Sequence, residues 1–332
     1  MGSDNLKNIP LNILDTINNT INHYDIFSNH TAYVAFSGGK DSSFLCHALK
    51  ELDYEVIGIT TDIGYNANWN ALKRIAKELA VETVLLDLPY SEFNFPKAYK
   101  EAFSFFEDVK TLSNIPVSHK TICTPCYNAK ISILRCWAEA NGINQIAFGH
   151  HGTDAIASLL KSYFYYFDFK CRNHTNFENT VFKELVVSQA ENFIDTTKVQ
   201  EWHLFTDTLT KLVYERIVGT DEPPRKYIEN SNIEIVRPLF NIYESDILSF
   251  FKNQNIEFQK SECVISKYRN TKDLTPREMM HQFITNKLNI ERLNDLHNIV
   301  KCCIDQNGFL IYNVRNNRDK ILGTYKCNEN KK

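Results

Sequence analysis

The sequence predicts an α/β fold in which helices cover both faces of a doubly wound parallel sheet. Short runs rich in β-branched residues alternate along the chain with segments whose apolar residues recur at helical spacing. The chain has 332 residues, 43% of them hydrophobic, which is enough to bury a substantial core. Strands that are separated by helices in this way form right-handed crossovers, so the strands run parallel.

Each element of this fold has a local signature. An amphipathic helix is predicted over residues 6–24, interrupted near its start by Pro10. Strands are predicted at 32–36, 55–61, 83–88, 145–148 and 233–236. Helices are predicted at 42–52, 68–79, 128–141, 154–167 and 244–253. A terminal hairpin is expected, with arms at 308–314 and 321–325.

Composition narrows the class of protein. The formal net charge is -3, so the chain lacks the basic excess of a strong nucleic-acid binder, although a local basic patch is compatible with it. Residues 1–31 lack the apolar segment of a signal peptide, and no apolar run is long enough to span a bilayer. Nine cysteines without an export signal favour thiols, metal ligands or catalytic sulfur over disulfides. We therefore expect a cytoplasmic protein with no membrane partner.

A glycine-rich loop connects the first predicted strand to the next helix. It reads Ser37-Gly38-Gly39-Lys40-Asp41-Ser42. The glycines let the backbone approach phosphate oxygens, and amides at a helix N-terminus favour negative charge. Lys40 adds a positive charge, the hydroxyls of Ser37 and Ser42 can donate to phosphate, and Asp41 suits a Mg²⁺ ion that bridges phosphate oxygens. A glycine turn capped by Asp or Ser is the alternative interpretation.

This string resembles the SGGxDS signature of the PP-loop ATP pyrophosphatases, a class that includes tRNA thiolases, lysidine synthetase and other adenylating synthetases. The Gly-x-x-x-x-Gly-Lys spacing of a Walker A loop is absent. The resemblance implies a Rossmann-like PP-loop fold with a helical insertion and a small C-terminal extension. It also implies that ATP is cleaved between its α and β phosphates, that a substrate oxygen is adenylated, and that a nucleophile then displaces AMP.

Residues after other strands are expected at the same edge of the sheet, where α/β folds bind nucleotides. His150 and His151 follow one strand and could contact ATP or polarise the adenylated centre, although either one could instead have a structural role. Asp62 ends another strand, where it could mark the adenosine side of the site or cap the next helix. The catalytic candidates are Lys40, Asp41, His150 and Asp154. The candidate nucleotide-binding residues are Ser37, Gly38, Gly39, Lys40, Asp41, Ser42, Asp62, Gly149 and His150.

Cys123 and Cys126 form a Cys-x-x-Cys pair, which suits a redox dithiol, half of a zinc site or half of an iron–sulfur site. The order of this pair between SGGKDS and a GHHxxD motif resembles the tRNA 2-thiocytidine synthetase group over residues 33–277. An Arg-Pro-Leu segment at 237–239 and the later Cys263 extend that resemblance. It implies that Cys123, Cys126 and Cys263 hold a 4Fe-4S cluster with one iron open to a sulfur species.

The resemblance implies adenylation of a nucleobase carbonyl, in tRNA or another nucleotide substrate, followed by sulfur transfer from sulfide or a donor protein. One alternative is an amidating or aminating synthetase, similar to lysidine synthetase or acting on a small molecule, with zinc on the cysteines. Another is a nucleotide-binding partner protein. Thr153 supports the last alternative, because the thiolase group has an acid at this position. The sequence leaves the modified base and the oligomeric state open.

The predicted elements divide the chain into five parts. They are an N-terminal helical segment at 1–30, a PP-loop ATP-binding core at 31–170, a helical insertion at 171–225, a completion of the core with the third cysteine at 226–290, and a C-terminal helix and hairpin at 291–332.

Overall fold

A computed structural model describes residues 7–62, 69–87, 119–171, 198–252 and 276–314, together with Gln254 and Phe258. The strands of this part of the chain form one sheet in the order β3-β2-β1-β4-β6-β5. They are β1 Thr31–Ala35, β2 Glu55–Asp62, β3 Glu82–Asp87, β4 Gln145–Ala147, β5 Arg225–Tyr227 and β6 Glu234–Val236. Neighbouring strands are parallel, except that β5 at the edge is antiparallel to β6.

Helices account for most of the remaining described chain. They are α1 Leu11–His23, α2 Lys40–Glu51, α3 Trp69–Glu78, α4 His119–Ala140, α5 Gly152–Cys171, α6 Val199–Tyr214, α7 Glu244–Phe251, α8 Pro276–Lys287 and α9 Ile290–Lys301. In the part of the chain that the structure describes, no helix is both long and apolar enough to cross a membrane.

Both faces of the sheet are covered, as the alternation along β1 shows. Ala32 and Val34 are buried in one core cluster, which also takes in apolar residues of α2, α3 and α5. Tyr33 packs against a second cluster, in which Leu134 and Ala138 of α4 meet the opposite face. Because successive strand residues point to opposite faces, this arrangement requires helices on both sides. The doubly wound α/β sheet predicted from the sequence is confirmed.

The chain leaves β1 toward β2 and β3 on one side of the sheet, and β4 and β6 lie on the other side. A topological switch point therefore lies between β1 and β4. In open α/β sheets the crevice at the carboxyl ends of two such strands is the usual ligand site. The loop at 36–39 follows β1 and the segment at 148–151 follows β4, so both meet at this crevice.

Each strand predicted from the sequence is present, with its ends within one residue of the prediction. Strand β5 was not predicted, because it has three residues, follows Pro224 and shows no apolar alternation. Arg225 nevertheless anchors it: Nε donates to Oε2 of Glu234 at 3.0 Å, and Nη2 donates to Oε1 at 2.9 Å. Arg225 and Lys226 are therefore part of the sheet.

Several predicted boundaries differ from the structure. Helix α1 begins at Leu11 rather than at residue 6, and α5 ends at Cys171 rather than at residue 167. Helix α4 begins at His119 rather than near residue 128, so the backbone of Cys123 and Cys126 is helical. The apolar spacing that predicted this helix starts later than the helix does. In place of an extended arm at 308–314, the structure has one bridge between Ile304 and Leu310. The other predicted arm, at 321–325, lies outside the described residues.

Candidate active site

The loop after β1 has the backbone geometry of an anion site. Gly38 has φ 69°, in the left-handed region that favours glycine, and Gly39 is the N-cap residue of α2. Gly39 donates its N–H to Ser37 Oγ at 3.3 Å, and the Ser42 hydroxyl donates to the Gly39 carbonyl at 3.2 Å. The N-cap residue Gly39 has no side chain that could cap α2. The first turn of such a helix has backbone amides that an anion can satisfy.

Gly149 brings the end of β4 directly against this loop. A Cβ added at Gly149 would lie 2.8 Å from the carbonyl carbon of Asp41 and 2.8 Å from the amide nitrogen of Ser42. No side chain fits at that distance, so glycine permits the close approach. The contact sets His151 beside the first turn of α2.

Six side chains at this crevice form a closed cycle of polar contacts, which we call the charge ring. Its members are Lys40, Asp41, His151, Asp154, Glu244 and His281. On one side of the ring, Lys40 Nζ lies 2.7 Å from Asp41 Oδ1 and 2.9 Å from Glu244 Oε1. His281 continues the cycle, with Nδ1 3.4 Å from Glu244 Oε2 and Nε2 3.1 Å from Asp154 Oδ1.

His151 closes the ring from inside the protein. It is 2% exposed, and its Nε2 lies 3.7 Å from Asp41 Oδ1 while its Nδ1 lies 3.6 Å from Asp154 Oδ2. Asp154 also accepts the His151 backbone N–H at 3.0 Å, which secures the start of α5. The ring therefore joins residues of α2, α5, α7 and α8 around the switch point of the sheet.

The protonation state of each basic residue in the charge ring follows from its surroundings. Burial lowers the pKa of His151, so its imidazole is neutral at pH 7. Burial also opposes the charge on His281, but the hydrogen bonds with Asp154 and Glu244 raise its pKa to about 9. The pKa of Lys40 is raised because Asp41 and Glu244 outweigh its burial. The hydrogen bond from His281 lowers the pKa of Glu244 to about 2. Three carboxylates against two cations leave the ring with one net negative charge.

Thr153 has a defined contact in this site. Its hydroxyl oxygen accepts the backbone N–H of Glu244 at 2.9 Å, which ties the first residue of α7 to the first turn of α5. The residue that departs from the thiolase pattern therefore helps to set Glu244 in the ring.

His150, one of the predicted catalytic residues, belongs to a neighbouring network. Its Nδ1 lies 3.2 Å from Glu222 Oε2, and Arg237 Nη2 lies 2.6 Å from the same oxygen. Arg237 is 3% exposed and also donates from Nη1 to the Pro223 carbonyl at 2.7 Å. Asp62, the last residue of β2, accepts a hydrogen bond from Trp69 Nε1 at 3.1 Å, at the start of α3.

The predicted cysteine ligands are only partly described. Cys123 and Cys126 are three residues apart on α4, a spacing that puts both positions on one face of a helix. Cys263 lies outside the described residues. Among the residues that the structure does describe, no group of three or more His, Cys, Asp or Glu side chains has the arrangement of a metal site.

Sequence reasoning found Lys40, Asp41 and Asp154 but did not include the other ring members among its site residues. His151 was weighed with His150, and the structure puts it, and not His150, in the ring. Glu244 was visible as an acidic helix start after Arg237-Pro238-Leu239. His281 had no local signal, because its partner Asp154 is 127 residues away.

Comparisons with known proteins address the same region. The family described as "Queuosine biosynthesis protein QueC" matches residues 31–158, which include the loop after β1 and the segment after β4. Over these residues the chain is similar to the PP-loop ATP pyrophosphatases. Its sequence resembles the domain of tRNA thiolases.

The tRNA-cytidine(32) 2-sulfurtransferase of Legionella pneumophila (strain Corby) is 29% identical over 140 residues, which are 40% of this chain and 43% of that protein. The tRNA-5-methyluridine(54) 2-sulfurtransferase of Thermus thermophilus is 28% identical over 142 residues, 42% of this chain and 40% of that protein. The chain thus spans less than half the length of these curated relatives.

Among solved structures, the U34-tRNA thiolase NcsA from Methanococcus maripaludis, determined with its 4Fe-4S cluster, has a TM-score of 0.50. The match covers 87% of this chain and 77% of NcsA at 16% sequence identity. At this identity the likeness shows the fold alone.

Proposed function

We propose that this protein binds ATP at residues 37–42, adenylates a carbonyl oxygen of a nucleobase in tRNA, and replaces that oxygen by sulfur. The observation that carries the proposal is the charge ring at the switch point of the sheet. It sets Lys40, Asp41 and Asp154 beside a helix N-terminus whose N-cap residue has no side chain.

Lys40 and the loop amides have the charge and direction to hold the phosphates of ATP. Lys40 remains protonated, because Asp41 and Glu244 raise its pKa. Neutralising phosphate charge lowers the barrier to attack at the α-phosphate, since negative charge on the leaving pyrophosphate grows as the bond breaks.

Asp41 suits Mg²⁺ because its side chain is 36% exposed next to the loop. Mg²⁺ is commonly bound by one or two carboxylates together with substrate phosphates, so a site with few protein ligands fits it. When bound, the ion would neutralise phosphate charge. Both oxygens of Asp154 have polar contacts within the protein, so we assign it to the support of His151 and His281.

His151 is neutral, buried and 3.7 Å from Asp41. A neutral imidazole at this position can hold the Asp41 carboxylate in place without adding a positive charge that competes with Mg²⁺. We assign this orienting role to His151, whereas His150, held by Glu222 and Arg237, stabilises the loop after β4.

The choice of tRNA as substrate is supported by the curated relatives, several of which are named as tRNA 2-sulfurtransferases. Sulfide or a sulfur donor protein would supply the sulfur atom. We further propose that Cys123, Cys126 and Cys263 hold a 4Fe-4S cluster that keeps one iron free for this sulfur. The structure does not describe these three side chains. The proposed cluster is therefore supported by the ability of three thiolates to hold a cluster with one iron open.

The reaction is tested by incubating the protein with ATP, Mg²⁺, sulfide and bulk tRNA under anaerobic conditions. We expect AMP, pyrophosphate and a thionucleoside, detected by mass spectrometry after nuclease digestion. Asp41→Asn should reduce all three products at least about a hundredfold, a loss of about 2.7 kcal/mol in transition-state stabilisation. Lys198→Ala, a control at the exposed N-cap residue of α6, should leave them unchanged. Pyrophosphate release without a thionucleoside would support adenylation but contradict sulfur transfer.

The metal is tested on protein purified without oxygen, by measuring iron, acid-labile sulfide and zinc. We expect iron and sulfide in near-equal amounts, lost when Cys123, Cys126 and Cys263 are changed to Ala. Cys302→Ala is the matched control, since this partly exposed cysteine is not among the proposed ligands. Zinc in place of iron would contradict the cluster and favour an aminating or amidating synthetase.

A further inference from the structure

Helix α8 contributes His281 to the charge ring, although this residue lies beyond the segment that resembles the thiolases. Its Nε2 is 3.1 Å from Asp154 Oδ1 and its Nδ1 is 3.4 Å from Glu244 Oε2. Both ring nitrogens therefore face carboxylate oxygens, an arrangement that the doubly protonated imidazolium satisfies fully. His281 is a largely buried cation between two acids, with a side chain 21% exposed.

Each of these acids has a further contact, Glu244 with the phosphate loop and Asp154 with the segment after β4. The other oxygen of Glu244, Oε1, lies 2.9 Å from Lys40 Nζ. The other oxygen of Asp154, Oδ2, accepts the backbone N–H of His151 at 3.0 Å. Each carboxylate thus contacts His281 with one oxygen and a residue of the candidate site with the other. His281 is linked in this way to Lys40 through Glu244 and to His151 through Asp154.

We propose that His281 is a positioning residue of the nucleotide site, acting on Lys40 through Glu244 and on His151 through Asp154. This inference rests on the proposed function only in that residues 37–42 bind ATP. Three carboxylates converge at the ring, and His281 supplies one of the two cations that balance them.

Loss of that cation has two physical consequences. The ring would carry two net negative charges beside the triphosphate instead of one, which opposes the binding of an anion. Glu244 would also lose the cation beside its Oε2, so Lys40 would be the one remaining cation of the ring that its carboxylate attracts. Lys40 would then be held more firmly by Glu244 and would be less available to phosphate.

The fold of α8 does not depend on His281. The helix is anchored by apolar neighbours, of which Met280 is fully buried and Ile284 is 2% exposed. A polar substitution at His281 leaves these contacts in place. The ring can therefore be altered with the helix retained.

The test compares His281→Gln with His47→Gln. His47 also contacts a carboxylate, with Nε2 2.8 Å from Glu51 Oε1, but at the opposite end of α2. Binding of a fluorescent ATP analogue with Mg²⁺ is measured at equilibrium, and unfolding midpoints are recorded for every variant. His281→Gln should weaken binding at least about tenfold, which corresponds to about 1.4 kcal/mol, and His47→Gln by less than about twofold.

A third variant, His281→Lys, restores the positive charge and should recover most of the lost affinity. It also serves as the test if His281→Gln proves too unstable to purify. Equal effects of His281→Gln and His47→Gln, or a His281→Lys variant as weak as His281→Gln, would overturn the inference.

A double-mutant cycle tests the route through Glu244. If His281 acts through this carboxylate, His281→Gln should change affinity by a different factor when Glu244→Gln is already present, with a coupling of at least about fivefold. Factors that simply multiply would contradict that route. Protein that binds ATP but forms no thionucleoside contradicts the proposed function and leaves this inference intact, whereas protein that fails to bind ATP contradicts both.

Discussion

The segment from Gly149 to Asp154 faces two different environments. On one side, Gly149 lies against the backbone of Asp41 and Ser42, at the charge ring. On the other side, a Cβ added at Gly152 would lie 2.8 Å from the Phe240 carbonyl oxygen and 2.9 Å from the ring of His297 on α9. One short stretch of chain thus separates a charged site from an apolar core.

A histidine on each side shows what the difference means. Hydrogen bonds to two carboxylates, working against burial, raise the pKa of His281 to about 9. Burial, with a smaller contribution from Lys301, lowers the pKa of His297 to about 3. His297 packs edge-on against Phe240 at 4.8 Å, and neither of its ring nitrogens has a hydrogen-bond partner among the described residues. Burial alone favours the neutral imidazole, so the charge on His281 depends on its acids.

The largest effect is predicted for a variant that disrupts the charge ring. Asp154→Ala removes the acceptor of His281 Nε2 and of the His151 N–H, and it leaves a buried cation with one fewer partner. We expect a loss of about 3–5 kcal/mol in the free energy of unfolding, measured with urea. Asp246→Ala, the control, removes a carboxylate that caps α7 without a histidine partner, and it should cost about 1 kcal/mol. Equal losses would contradict the role of the ring.

The second prediction concerns pH and tests the apolar side. Because the folded pKa of His297 lies below its ordinary value of 6.5, the unfolded chain takes up this proton first as pH falls. Stability should therefore decline below pH 6.5, by up to about 1.4 kcal/mol per pH unit. His297→Phe should make this slope shallower above pH 4.5, the ordinary pKa of glutamate, and His151, whose pKa is also lowered by burial, should account for slope that remains.

His281 should show the opposite dependence, which sharpens the comparison. Its folded pKa is raised, so its stabilising contribution is complete below pH 6.5 and is lost as pH rises through about 9. Urea midpoints of His281→Gln should accordingly differ most from the parent protein at low pH and converge at high pH. A slope below pH 6.5 that is as steep in His297→Phe as in the parent protein would contradict the assignment of that proton to His297.

The third prediction uses the two glycines. Gly149→Ala and Gly152→Ala each introduce a methyl group 2.8 Å from backbone atoms, so each should cost about 1–3 kcal/mol of stability. Only Gly149→Ala displaces the first turn of α2, so only this variant should weaken ATP binding in the folded protein. Equal weakening by both variants would show that the two sides are not independent.

The smallest predicted effect is that of an exposed ion pair. Lys198 Nζ lies 3.0 Å from Glu201 Oε1, nearly the same distance as in the Lys40–Glu244 pair, but the Lys198 side chain is 63% exposed. Lys198→Ala should change the free energy of unfolding by less than about 0.5 kcal/mol, because water and salt screen the pair. A larger change would contradict the inference that solvent exposure makes the Lys198–Glu201 pair weaker than the Lys40–Glu244 pair.

The sequence by itself determined the elements whose signals are local. Short runs rich in β-branched and apolar residues predicted β1, β2 and β4, and helical spacing predicted α2 and α5. The string Ser37 to Ser42 predicted an anion site, because its glycines, lysine and helix start act within a few residues of one another. The strand and helix predictions are confirmed where their physical cause spans one or two turns of chain, and the anion site stays a prediction.

Only the tertiary structure decided which distant side chains complete the site. Asp154 and His281 are 127 residues apart, and Lys40 and Glu244 lie on different helices, so no periodicity or motif relates them. Strand β5 also depends on a tertiary contact, since Arg225 is held by Glu234 on the neighbouring strand. The packing of α5, α7 and α8 against the end of the sheet creates these pairs, and packing depends on the whole chain rather than on any local segment.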